Sequence, residues 1–131
     1  MSNVIAAAVA AVILAGGAVN PNEFEGVSRD SFAAWSYGWN SVKVNGPVRT
    51  LLVQTRYNTP TPFNGNPTPV AYSIHAVSLD CAAKTVTFVS GSNYTASGVV
   101  INAASPSPSA PWTDGTPGFQ ELATTVCATS F

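Results

Sequence analysis

Apolar positions follow one another without a period through residues 4–18, an uncharged run of fifteen. That length suits the hydrophobic core of an export signal and falls short of the ~20 residues a spanning helix needs. Small residues at Gly16 and Ala18 place cleavage after Ala18, and Asn20 and Pro21 then open a polar stretch. A retained anchor or an ordinary buried helix is the competing reading, because no Lys or Arg precedes the run. Beyond it the pattern becomes alternating. Trp35, Tyr37 and Trp39 fall on one face of a strand that Gly38 weakens, and Asn45, Gly46 and Pro47 supply a turn. Residues 48–57 follow as a strand with Leu51, Val53, Arg49, Thr55 and Tyr57 on one face and Leu52, Gln54 and Arg56 on the other.

Four prolines in residues 59–69 predict an exposed loop. Residues 70–81 and 85–92 read as two further strands joined by a short connection, which suits antiparallel neighbours. Counting back by twos from Cys81 gives Leu79, Val77 and His75, so the sulfur points toward an apolar face. A turn at Ser97 and Gly98 precedes a short apolar run, and residues 103–111, alternating Ser and Pro, predict an extended polyproline crossover. The last segment changes period. Thr116 is placed to cap a helix with Pro117 at its first position, and Phe119, Leu122, Ala123, Val126 and Cys127 then form one buried stripe. The expectation is an α+β domain over residues 19–131: five or six mostly antiparallel strands with a C-terminal helix on one face.

Composition narrows what such a domain does. Charged residues are 8 % of the chain, five basic against six acidic, so there is no field to gather nucleic acid or anionic lipid. No span is expected to remain in a membrane after the signal is removed. Two cysteines with an export signal favour one bridge, Cys81 to Cys127, in an oxidising compartment. Those cysteines and His75, the sole histidine, lack the paired spacing of a metal site, so neither metal nor cofactor is expected.

Leu79, Asp80, Cys81, Ala82 and Ala83 at a strand end, a hairpin over residues 94–98, Pro117 and Gly118 at a helix start, and a terminal cysteine in ATTVC resemble the surface-adhesin protein E-like family of bacterial exported domains. The resemblance covers residues 24–127, with its specific motifs in the second half. It implies an antiparallel sheet with a disulfide-tethered C-terminal helix, and binding of host matrix and serum proteins at a bacterial surface. The chain departs from an outer-membrane-anchored adhesin in having no cysteine for lipid attachment near the cut.

No active site assembles from spacing. His75 is linked to no particular nucleophile, Asp80 and Asp114 read as strand-end and turn residues, and the cysteines lie too far apart for a redox CxxC pair. Trp35, Tyr37 and Trp39 are the candidate binding residues, as a stacking row for a sugar or a protein partner, against a competing role in core packing. Asn93, Tyr94 and Thr95 match a glycosylation sequon. The expectation is an exported, non-enzymatic binding module, adhesin-like toward a protein or glycan. The alternative is a structural subunit of a surface assembly.

Overall fold

The computed structural model describes residues 23–63 and 65–131, so the expected export segment lies outside the described residues. Eight strands follow in order: β1 (Phe24–Arg29), β2 (Ala33–Gly38), β3 (Lys43–Asn45), β4 (Val48–Thr61), β5 (Val70–Asp80), β6 (Thr85–Tyr94), β7 (Val100–Ala103) and β8 (Ser107–Pro111). A 3₁₀ turn at Trp112–Asp114 leads into the helix α1 (Pro117–Ala128).

All strands join one sheet, and every pairing is antiparallel. The expected five or six strands are corrected to eight, laid in six lanes: β2 and β3 share the edge of β4, while β7 and β8 share the edge of β6. A 3₁₀ turn at Trp39–Ser41 divides the first shared lane, with the Ser41 hydroxyl held by the Gly38 carbonyl and itself accepting Leu52 N–H at 2.9 Å. The second is a sharper departure, because β8 lies where a polyproline crossover was expected. Pro108 and Pro111 are tolerated there since β8 is an edge strand, and a missing N–H costs nothing on the unpaired side. β4 likewise runs past Tyr57 through Pro60 to Thr61, into the segment expected to be loop.

The Asn45–Gly46–Pro47 turn joins β3 to β4, and Gly46 supplies the positive φ of +59° that the tight connection requires. Between β5 and β6, Asp80 Oδ1 accepts the N–H groups of Ala82 and Ala83, each at 3.0 Å, and Lys84 takes φ +57° to close the turn.

Helix α1 packs on one face of the sheet, over β1 and β2. Its stripe of Phe119, Leu122, Ala123 and Val126 is buried as the 3.6-residue period predicts, against Trp35, Leu51, Val53, Val77, Leu79 and Val86. Full burial of each large apolar side chain contributes about 1.5–3 kcal/mol. This is what stabilises a helix of 12 residues, too short to persist alone. Cys81 and Cys127 are bonded with Cα atoms 5.7 Å apart, tying the end of α1 to the turn after β5.

The helix start is held differently from the expectation. Thr116 is the N-cap and Pro117 the first helical residue, yet the Thr116 side chain makes no capping bond. Asp30, in the β1–β2 turn, takes that role: its Oδ2 accepts Gly118 N–H at 2.8 Å and Trp35 Nε1–H at 3.3 Å. Its Oδ1 accepts Phe32 and Ala33 N–H. Partial burial alone would raise the Asp30 pKa, but the Thr116 hydroxyl beside it and the three backbone donors hold the carboxyl well below the usual carboxylate range.

Candidate binding face

The three aromatic candidates separate. Trp35 and Tyr37 point under α1 and are 7 % and 4 % exposed, so they are core residues, with Trp35 set edge-on to Phe119 at 5.4 Å. Trp39 belongs to the 3₁₀ turn beyond β2 and is 51 % exposed. The expected row is therefore broken at Gly38, where the backbone leaves the strand and the alternation of faces ends. Cys81 and Cys127 are the tether described above.

His75 faces the helix side of the sheet, edge-on to Phe88 at 5.1 Å and against Gly91, where a Cβ would come within 2.7 Å of its ring. Its Nδ1 is buried without a hydrogen-bond partner, and burial lowers its pKa to about 4. A neutral imidazole with no carboxylate to orient it and no hydroxyl to activate lacks the geometry of a general base. Asn93 is 2 % exposed and lies within a polar chain, so its sequon is inaccessible in the folded domain. Ser73 donates to Asn93 Oδ1 at 2.6 Å, which leaves the Tyr57 hydroxyl to donate to Ser73 Oγ at 2.9 Å. Asn93 Nδ2 donates in turn to Asn102 Oδ1 at 2.8 Å. Four lanes of the sheet are thereby linked through satisfied buried groups.

The opposite face of the sheet is a different surface, and among the described residues no helix packs on it. Register assembles it row by row, because residues opposite each other in antiparallel strands project to the same side. One row crosses six strands: Arg29, Ala34, Arg56, Tyr72, Tyr94 and Val100. The next row carries Gly26, Ser36, Gln54, Ile74, Ser92 and Ala103. Ile74, Ala76 and Tyr94 form a small apolar centre with Phe24, Leu52, Tyr72 and Val89 around it.

Two arginines thus stand on either side of the short Ala34 side chain, separated by two strand spacings, about 10 Å at the backbone. Between them opens a groove of about 550 Å³ lined by Arg29, Arg56, Ser36, Gln54, Gly26 and, from the helix, Glu121. The Arg56 guanidinium is held in place by the Tyr72 ring, 4.5 Å from its centroid, and Tyr72 stacks on Tyr94 at 4.8 Å and 8°. Both faces of Tyr72 are therefore engaged, so the tyrosines support the arginine rather than offering a bare ring to a ligand.

Charge is divided by the fold. Arg29, Lys43 and Arg56, three of the five basic residues, project from the open face; of the acids near them, Asp80 is turned into its own loop and Glu121 reaches the groove from the helix. Parity alone puts Gln54 and Arg56 on one face of the strand with Leu52, but it does not pair them with Arg29. That pairing depends on the β1–β2 register, which a bulge between Gly26 and Ser28 shifts by one residue.

No three His, Cys, Asp or Glu residues cluster as metal ligands among the described residues. Among the same residues, no helix is long and apolar enough to cross a membrane. In comparisons with known proteins, the chain matches no protein-family model, no curated protein and no solved structure.

Proposed function

We propose that this chain is an exported, non-enzymatic binding module of the protein E-like type, whose ligand lies on the face of the sheet opposite α1. The observation that carries this reading is the groove between Arg29 and Arg56, in which a cation pinned by Tyr72 faces solvent beside hydrogen-bonding Ser36 and Gln54. A binding surface gains from groups fixed before the ligand arrives, since less side-chain freedom is lost on association. The disulfide supports export, because such bridges persist in oxidising compartments. The isolated His75 supports a non-catalytic role. Retention of the full chain on an array of glycans and matrix proteins, compared with an Ala34→Trp variant that fills the groove, tests the reading. Retention of at least one ligand by the parent and its loss in the variant is the expected result. Failure of the parent to retain any ligand would overturn it.

A second reading, a structural subunit of a surface assembly, draws on exposed apolar residues at opposite edges of the sheet. Trp39 and Val44 lie at the β3 edge, and Val99 and Val100 at the β7 edge, each 42 % exposed or more. Two different apolar edges suit a head-to-tail contact, which propagates instead of closing. Light scattering distinguishes the two, since a monomer at high concentration excludes the assembly.

A further inference from the structure

We infer that the ligand of this groove is an acidic polysaccharide, bound through a carboxylate or sulfate group seated between Arg29 and Arg56; the inference rests on the open-face reading above. The charge is right and local. Two guanidiniums flank the short residues Gly26, Ala34 and Ser36, and the large Trp35 that also lines the groove has its side chain buried on the α1 side, so an anionic group reaches both arginines without displacing a large side chain. Guanidinium groups bond carboxylate and sulfate oxygens through paired N–H donors, and the stacking of Arg56 on Tyr72 leaves its N–H edge available.

The surroundings favour a polysaccharide over other polyanions. Ser36 and Gln54 in the groove, with Thr50, Ser78 and Thr87 across the same face, provide neutral donors and acceptors matched to hydroxyl groups. Nucleic acid presents one charge per about 1.7 Å of duplex, which two arginines near an acidic Glu121 do not match. An anionic membrane would call for a large exposed apolar anchor beside the cations, whereas the apolar members of the groove besides Ala34 are Trp35, buried under α1, and a half-buried Val27. Sparse charge interspersed with hydroxyls is what a uronate- or sulfate-bearing sugar chain offers.

Titration calorimetry of the full chain with polygalacturonate, heparin and neutral dextran tests this, alongside Arg29→Gln, Arg56→Gln and Glu121→Gln. Expected is binding to polygalacturonate, heparin or both, and none to dextran; the two acidic arms separate carboxylate from sulfate preference. Each arginine variant should lose about tenfold or more in affinity, as for a charge-assisted pair, while Glu121→Gln should bind more tightly. Raising salt from about 50 mM to about 200 mM should weaken binding about tenfold for two neutralised charges. Binding to neither acidic polymer, equal binding to dextran, or capture only by phosphatidylglycerol vesicles would overturn the inference. A ligand that is lost in Ala34→Trp but is indifferent to salt and to both arginine variants would sink the acidic sugar and spare the open face. One that survives Ala34→Trp would sink both.

Discussion

Asp30 Oδ2 accepts the Gly118 N–H at 2.8 Å across 88 positions of sequence, so the helix is capped by a turn in the first hairpin. An aspartate at a helix start satisfies an unpaired N–H and complements the positive end of the helix dipole. Asp30→Ala should therefore cost about 1–2 kcal/mol by urea unfolding at pH 7, the range of a lost cap. Asn should not rescue it fully, because both Asp30 oxygens accept N–H donors and an amide offers only one acceptor. The pH dependence has a definite sign. Since the folded pKa is depressed, the contribution is complete above the unfolded value of about 3.9 and is lost as pH falls below it toward the folded pKa. Parent and Asp30→Ala should converge in stability on acidification, and a constant gap down to pH ~2 would contradict the linkage.

Gly118 is fixed by the same junction. A Cβ there would lie 2.6 Å from Trp35 Cδ1 and Nε1 and 2.7 Å from Asp30 Oδ2. Helix propensity alone would make Gly118→Ala stabilising by about 1 kcal/mol. Overpacking against a buried indole should reverse that sign, for a net loss of about 1–2 kcal/mol. Thermal unfolding with tryptophan emission as the probe reads both the loss and the displaced ring; a raised Tm would show that the junction yields easily.

Cys127→Ser removes the tether at the other end of α1. The bridge closes a loop of 46 positions, for which the chain-entropy model gives about 4 kcal/mol as an upper figure. The helix should fray from its C-terminus while its Asp30-held start persists. Hydrogen exchange should thus rise first near Val126 and last near Phe119, and an unchanged Tm under reductant would count against a stabilising bridge.

His75 adds a second acid-sensitive element with a separate window. Its folded pKa is lowered to about 4 by burial, so the unfolded chain binds a proton first as pH falls below its ordinary 6.5. Stability from the neutral imidazole is present above that value and is lost between about pH 6.5 and pH 4. His75→Leu should flatten the stability profile in this interval and leave the Asp30 region below it intact. An identical profile in the variant would assign the slope to other groups.

Local pattern carried much of this architecture. The stripe from Phe119 to Val126 implied a docked helix because a 3.6-residue period puts those positions on one side. Parity placed Leu79 and Val77 inward, and the Asn45–Gly46–Pro47 turn was evident from residues that tolerate its dihedrals. The β8 strand was not legible, since Ser–Pro alternation is equally compatible with a solvated polyproline segment and with an edge strand; only the free edge of β6 chooses between them. Trp39 misled for a related reason: alternation continues in the sequence past Gly38, but the backbone turns there.

Composition and periodicity by themselves determined that this chain builds an antiparallel sheet, docks one short helix and has two cysteines suited to joining them. These are consequences of which residues neighbour one another along the chain. Tertiary structure alone decided that Asp30 caps the distant helix and that Arg29 and Arg56 flank one groove on the open face. Both depend on strand register, and register is set by bulges and cross-strand packing that no local window contains.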